Sequence, residues 1–228
     1  MNLGMFPIAP MLFAFLIPMI YSLKWKKENI RKISIVTICS VFIVLFYPIA
    51  FYLGEILDSI LSYFIGKILL FTIMPLITIQ YLEKWPIKTA LNEIGIKKDK
   101  IGLSIFLGLG VLILTVSVIL IIWWSKLSPN SAYWNTILFV EAFNEEFFFR
   151  GVLLLYLWKI TDIKIAYITS VLAFIFAHPQ HFNSLWLLST SLQAILLGIV
   201  TFKTKNIIGP WLSHGLNRII PSIITYLI

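Results

Sequence analysis

Four charged side chains fall within ten residues of an otherwise apolar stretch of the chain. They are Glu141, Glu145, Glu146 and Arg150, and the apolar stretch runs from about residue 136 to 158. The whole chain of 228 residues has ten acidic residues, so this stretch holds a large share of them. A charged side chain at membrane depth costs about 2.5 kcal/mol or more, and it therefore predicts a functional site.

Helical spacing gives these charges different roles. Glu146 and Arg150 are four residues apart on one helix face, with the acid before the base, so they can form an ion pair. Glu145 lies about 100° further round, shares its face with Glu141, and has no cation from its own helix. A desolvated carboxylate binds a proton more readily, as a general base must. The alternative is that the acids only join helices through polar contacts.

The three histidines all lie in the last 51 residues. His178 ends the sixth apolar segment, His181 follows in a loop, and His214 lies in the last segment. His214 and Asn217 are three residues apart, so both can face one cavity. We expect His181, as a loop residue, to be solvated.

Two further expectations concern the last segment. Arg218 is placed to pair with Glu141 or with a lipid phosphate. Counted along the helices, Glu145 lies roughly 20 Å above the cytoplasmic end of its segment and His214 only about 10 Å above its own. A tilted or bent last helix is therefore needed to bring the two together.

These polar groups could hydrolyse a peptide or amide bond. Glu145 with His178 could activate water while His214 and Asn217 donate hydrogen bonds to an oxyanion, without a covalent intermediate. Glu145, His178 and His214 could instead bind zinc as three protein ligands with one open position. The sequence has no HExxH motif to favour zinc and no nucleophile-elbow motif, so we expect no cofactor.

The composition excludes a soluble globular domain. Hydrophobic residues make up 60% of the chain and charged residues 12%, and the mean hydropathy is +0.95. This predicts an all-α, polytopic membrane protein with about eight transmembrane helices and a buried catalytic cavity. The net charge of +8 does not indicate nucleic-acid binding, because the basic residues lie mostly in short connections. The apolar segments are approximately 3–23, 33–53, 60–81, 101–124, 136–158, 164–178, 185–202 and 207–227.

The connections between these segments alternate in charge. Odd-numbered connections are basic and even-numbered ones are not, which predicts a multi-pass cell-membrane protein with both termini outside. The longest connection, residues 82–100, ends in the basic cluster Lys97–Lys100, which we expect to meet anionic lipid head groups. No linker divides the chain. We treat residues 1–228 as one integral membrane domain, with 1–130 as scaffold spans and 131–228 as the motif-bearing catalytic spans.

Three short motifs follow one another on successive predicted spans. They are EExxxR at Glu145 to Arg150, followed by Gly151; FxxxH at Phe174 to His178; and a histidine followed by an asparagine at His214 and Asn217. In these motifs the sequence resembles the CAAX prenyl protease and bacteriocin-processing group of intramembrane proteases, also called the Abi family. The resemblance covers roughly residues 136–220.

The resemblance implies a role for each motif residue. Glu145 would be the general base on water, assisted by His178, while His214 and Asn217 would hold the oxyanion. The ion pair between Glu146 and Arg150 would be structural. Prenyl proteases place the asparagine four residues after the histidine, where this chain has Arg218.

The leading hypothesis is therefore an intramembrane endopeptidase of the CAAX prenyl protease-like type. Its partners would be the lipid bilayer and a peptide or lipidated protein that enters from the membrane. One alternative is a catalytically weak or inactive bacteriocin-immunity or binding protein on the same scaffold. Another is a proton-coupled transporter, which also uses intramembrane Glu and His. The clustering of the acids on one helix and the lack of a repeat argue against a transporter.

Overall fold

The computed structural model describes residues 8–56, 60–123 and 130–227, and these residues form an all-helical bundle. The helices are α1 Met11–Trp25, α2 Ile30–Ile56, α3 Ile60–Ile68 continuing as Leu69–Ile73 and Met74–Glu83, α4 Ile87–Glu93, α5 Ile101–Trp123, α6 Ala132–Glu146 continuing as Phe147–Tyr156 and Leu157–Ile160, α7 Ile163–Phe176, α8 Trp186–Thr204 and α9 Ile208–Leu227.

Each of the eight predicted apolar segments coincides with one of these helices, and the short α4 lies in the third connection. The start of the first segment, residues 3–7, lies outside the described residues, as do parts of the second and fourth connections. Within the described residues, four helices are long and apolar enough to cross a membrane, which indicates a multi-pass membrane protein. These four run Lys27–Ala50, Leu61–Glu83, Ile101–Ile122 and Trp186–Thr204.

Helices α1, α6 and α7 do not meet these criteria of length and hydropathy, for two physical reasons. Helices α1 and α7 are apolar but shorter than 18 residues. Helix α6 carries the four clustered charges, which lower its hydropathy. The number of eight membrane spans therefore stays a prediction.

Helix α6 lies at the centre of the bundle, in contact with α3, α7, α8 and α9. Its middle part is a π-helix, Phe147–Tyr156, in which every residue is buried. A second π-helical stretch, Leu69–Ile73 of α3, packs against it. Phe71 contacts the rings of Phe148 and Phe149 at centroid distances of 5.5 and 6.1 Å. The wide turns of both helices thus meet in an aromatic core next to the clustered charges.

Helices α5 and α9 approach each other closely through small residues. Gly209 donates its N–H to the hydroxyl of Ser104 at 3.1 Å, and Ser104 is fully buried. A side-chain carbon added at Gly108 would lie 2.5 Å from the carbonyl oxygen of Gly209. Small residues allow such backbone contact in membrane helices, where packing rather than water exclusion holds helices together. This contact fixes the helix that carries His214.

Candidate active site

Glu145 lies on α6 with only 4% of its surface exposed. Its Oε2 atom is 3.7 Å from Nε2 of His178 and 3.6 Å from Nε2 of His214. This oxygen has no hydrogen-bond partner among the described residues. The three side chains come from α6, from the end of α7 and from α9, so the fold brings together residues that are 69 positions apart. The depth difference expected for His214 does not keep it from the carboxylate.

Hydrogen bonds fix the direction in which each imidazole points. Nδ1 of His178 lies 2.8 Å from the carbonyl oxygen of Phe174, one turn back on the same helix. Nδ1 of His214 lies 2.9 Å from Oε1 of Glu146. A carbonyl or carboxylate partner makes each Nδ1 the donor, so each Nε2 is the atom turned towards Glu145.

Glu146 joins this site to the bundle core. Its Oε2 lies 3.2 Å from Nε of Arg150, and both side chains are fully buried. The Arg150 guanidinium lies 4.2 Å from the ring centroid of Phe174, one residue in the motif that ends in His178. Because Glu146 contacts both Arg150 and His214, the predicted ion pair also orients the second histidine.

Lys67 of α3 is a member of the site that was not predicted from the sequence. Its ammonium group forms an ion pair with Glu141 and lies 2.5 Å from Oε1 of Glu145, and its surface is 3% exposed. Tyr63, one turn earlier, donates a hydrogen bond to Glu141 at 3.0 Å. The signal that would have revealed Lys67 is a lone lysine inside the apolar segment 60–81.

Arg218 of α9 completes the charge balance. Its Nη1 lies 2.7 Å from Oε2 of Glu141, as predicted, and its Nη2 lies 3.6 Å from Oε1 of Glu145. Glu145 therefore has cations close by, although they come from other helices. Three buried carboxylates face three cations, which keeps the cluster neutral at membrane depth. The carboxylates are Glu141, Glu145 and Glu146, and the cations are Lys67, Arg150 and Arg218.

A pocket of about 400 Å³ opens beside the two histidines. His178, His214, Asn217 and Arg218 line it, and so does Gln193 of α8. Oδ1 of Asn217 and Nε2 of Gln193 are buried without a hydrogen-bond partner among the described residues. Gln193 was not predicted from the sequence, because an amide on an apolar helix carries no motif. The two amides could hydrogen-bond to a peptide group in this pocket.

His181 also lines this pocket. The structure corrects the expectation that it is a solvated loop residue, because its ring is half-buried and stacks on His178 with centroids 5.5 Å apart. Its Nδ1 lies 2.6 Å from the hydroxyl of Thr190. Burial, together with the positive charge of Arg218, lowers the pKa of His181. The loop after α7 is held against α8 and forms one wall of the pocket.

The donor set fits a metal ion poorly. Within residues 8–56, 60–123 and 130–227, no group of three or more His, Cys, Asp or Glu side chains is placed to hold one. The possible zinc ligands suggested by the sequence are Glu145, His178 and His214. A divalent cation there would also meet the fixed charges of Lys67 and Arg218 beside Glu145.

The fold and the site together define a helical membrane protein with a buried carboxylate between two histidines. Comparison with protein families identifies residues 126–220 as a match to the family described as Type II CAAX prenyl endopeptidase Rce1-like. The match covers the segment that carries the three motifs, and it confirms the resemblance predicted from them. Searches of curated proteins and of solved structures found no match.

Proposed function

We propose that this protein is an intramembrane endopeptidase in which Glu145 activates water for attack on a peptide bond. The observation that carries the proposal is the position of Oε2 of Glu145 between the Nε2 atoms of His178 and His214, at 3.7 and 3.6 Å. The family match of residues 126–220 supports a protease that acts on protein substrates.

The arrangement suits a water molecule as the nucleophile. Oε2 of Glu145 and Nε2 of His178 are both acceptors when the imidazole is neutral, and a water molecule has two O–H groups to donate. Glu145 takes one proton as the water oxygen attacks the carbonyl carbon, and this proton passes to the leaving amine. Asn217 donates its side-chain N–H to the oxyanion from α9. His214 adds a second donor through Nε2 when its ring carries both protons, because its Nδ1 is already bonded to Glu146.

The substrate reaches the site from the membrane or from its surface. The pocket that leads to the histidines is lined largely by polar side chains, among them Gln193 and Asn217. This lining suits a peptide segment better than a prenyl chain, which needs apolar walls. The alternating charge of the connections predicts that His178 and the following loop lie nearer the outer leaflet.

Cleavage of a peptide panel by purified protein in detergent tests this function. The panel contains farnesylated and unmodified fluorogenic peptides, each assayed with and without a chelator. We expect turnover by the wild type that the chelator leaves unchanged and that Glu145→Gln reduces at least about a hundredfold, as the loss of a general base does. Chelator-sensitive turnover would move the mechanism to a metal, and full activity of Glu145→Gln would remove Glu145 from its proposed role.

One observation favours a second candidate, a bacteriocin-immunity or other binding protein without turnover. Glu145 is ion-paired with Lys67 at 2.5 Å, and a carboxylate held by a cation is a weaker base. This candidate predicts that Glu145→Gln keeps cellular function. Complementation of a deletion strain by Glu145→Gln therefore separates the two functions, since a protease loses its cellular role with its base.

A further inference from the structure

A second cavity, of about 320 Å³, lies at the opposite ends of α6 and α8 and shares no lining residue with the first. Three lysines line it, Lys97, Lys159 and Lys205, together with Glu93 and Trp158. The lysines come from the third, fifth and seventh connections, which are the basic connections nearest the catalytic spans. The fold thus gathers basic residues that are more than 100 positions apart around one cavity.

The backbone around this cavity is fixed by hydrogen bonds. The fully buried side chain of Asn206 donates to the carbonyl oxygens of Lys97 and Asp99 at 2.7 and 3.1 Å. The next residue, Ile207, donates its N–H to the carbonyl oxygen of Gly95 at 3.0 Å. These bonds tie the seventh connection to the third, so Lys97 is held beside the end of α8.

Lys205 has an unusual backbone and an incompletely satisfied charge. It caps the C-terminus of α8 in the left-handed conformation, with φ of 55°, which glycine adopts without strain and lysine does not. Its Nζ atom lies 3.1 Å from the ring centroid of Trp158 and has no hydrogen-bond partner among the described residues. Burial and the nearby Lys100 and Lys97 lower the pKa of Lys205 to about 8.

The cavity carries net positive charge. Lys159 forms an ion pair with Glu93, whereas Lys97 has only a long contact of 3.9 Å with the exposed Asp99. Among the described residues, the Lys205 ammonium contacts the rings of Trp158 and Phe202 and pairs with no carboxylate. The cavity therefore holds two cations, Lys97 and Lys205, with too few hydrogen-bond acceptors around them. An anion with several oxygens would supply the missing acceptors.

Aromatic side chains at the rim place this cavity at a membrane interface. Trp158 packs against Phe202 with ring centroids 5.6 Å apart, and Phe202 is 40% exposed. Tryptophan is enriched where a membrane meets water, and basic cavities between helices on the cytoplasmic side bind anionic head groups. The exposed ring of Phe202 offers an apolar surface to an acyl chain.

We propose that this cavity binds the phosphate group of an anionic phospholipid, with Lys205 and Lys97 as its hydrogen-bond donors. The lipid phosphate replaces the missing partners of Lys205 and offsets the strain of its backbone conformation. The same chemistry would admit free inorganic phosphate, and the two sources are distinguished by experiment. The proposal does not depend on proteolytic activity.

The test is lipid retention by the purified full-length protein, measured by native mass spectrometry after titration with dioleoyl phosphatidylglycerol or dioleoyl phosphatidylcholine. Inorganic phosphate is added as a competitor in a parallel titration. The decisive variant is Lys205→Gly, which removes the ammonium and suits the left-handed backbone. The matched control is Lys84→Gly, because Lys84 caps α3 in the same conformation, with φ of 57°, and does not line the cavity. Circular dichroism checks that both variants keep their helix content.

We expect the wild type to retain phosphatidylglycerol and not phosphatidylcholine. Lys205→Gly should weaken this retention about tenfold, a loss of about 1.4 kcal/mol, while Lys84→Gly leaves it within about twofold in buffered salt, which screens exposed charges. Equal effects of the two variants, or equal retention of the two lipids, would overturn the proposal. Retention of phosphate alone, lost in Lys205→Gly, would assign the cavity to the free anion.

Discussion

Lys67 explains at the level of single residues how this bundle can bury Glu141 and Glu145 side by side. Two carboxylates on one helix face repel each other at membrane depth unless cations of other helices lie between them. Lys67 contacts both carboxylates from α3, and Arg218 contacts both from α9. The charge cluster is therefore also the contact that joins α3 and α9 to α6.

Replacing Lys67 by methionine tests this role. Lys67→Met keeps the length of the side chain and leaves Arg218 as the one lysine or arginine in contact with Glu141 and Glu145 among the described residues. We expect a loss of about 3 kcal/mol or more in the free energy of unfolding, because removal of one partner leaves a buried charge uncompensated. The measurement is unfolding of the detergent-solubilised protein followed by tryptophan fluorescence.

A charge-balanced double variant is the control for this prediction. Lys67→Met combined with Glu141→Gln removes one cation and one anion, so it should recover much of the lost stability. If the double variant is no more stable than Lys67→Met, the two side chains do not act as a pair and the charge-balance argument fails.

Gln193 gives a second prediction at the residue scale, once a cleaved peptide is known. Gln193→Met keeps the volume and removes an amide whose Nε2 is buried at the pocket without a hydrogen-bond partner among the described residues. We therefore expect kcat/KM to fall by up to about tenfold, the worth of one hydrogen bond. Gln180, an exposed amide of the same pocket, supplies the control Gln180→Met. Equal kinetic effects of the two variants would argue against a contact between Gln193 and the substrate.

The contact between α5 and α9 makes a prediction at the scale of elements. A methyl group at Gly108 would lie 2.5 Å from the backbone oxygen of Gly209, a distance that side-chain rotation cannot relieve. Gly108→Ala should therefore push α9 away from α5, displace His214 and lower the melting temperature. Thermal unfolding and peptide cleavage measure the two consequences.

The control for this contact lies two residues further along the same helix. Gly110 is exposed, and a methyl group added there would meet nothing within 4 Å. Gly110→Ala should leave the melting temperature unchanged or raise it slightly, since alanine favours helices over glycine by about 1 kcal/mol. A similar loss in both variants would show that helix propensity rather than packing decides the effect.

The helical elements could be predicted from the sequence to a large extent, whereas their interruptions could not. Apolar segments bounded by lysines and prolines locate the helices because length and hydropathy are local properties. The π-helical turns Phe147–Tyr156 and Leu69–Ile73 depend on how two helices fit against each other. No local pattern in either stretch differs from that of an ordinary α-helix.

Site contacts within one helix could be predicted from the sequence more readily than contacts between helices. Glu146 and Arg150 pair within one helix, so spacing alone indicated them. Lys67 and Gln193 join the site from other helices, and their contacts follow from packing that sequence spacing does not encode. The prediction that Glu145 and His214 lie close together rested on the order of the motifs, because counting residues along the helices suggested different depths in the membrane.

At the scale of the whole molecule, the charge pattern predicts opposite sides for two loops. Lys98 lies in the basic third connection and Asn183 in the loop after α7, and both are exposed. With the single buried cysteine removed by Cys39→Ala, Asn183→Cys should react with a membrane-impermeant maleimide in intact cells. Lys98→Cys should react only after permeabilisation, because positive connections stay in the cytoplasm.

Two results would contradict this orientation. Labelling of both cysteines from outside would show that α5 to α7 do not cross the membrane an odd number of times. Labelling of Lys98→Cys alone would place the pocket beside His178 and His214 on the cytoplasmic side, where lipidated cytoplasmic substrates are found.

The neutral charge cluster has a consequence for biosynthesis. The ribosome makes Lys67 more than 70 residues before Glu141, so the lysine enters the membrane while its partners are still inside the translation machinery. Helix α3 must then wait at the bilayer with an uncompensated ammonium, and α6 arrives with more acids than its own arginine can balance. In the predicted eight-span topology, their meeting completes the insertion of both helices. A chain whose synthesis stops after Lys67 and before Glu141 would expose an unpaired intramembrane lysine. Quality control can recognise an unfinished membrane protein by such a feature.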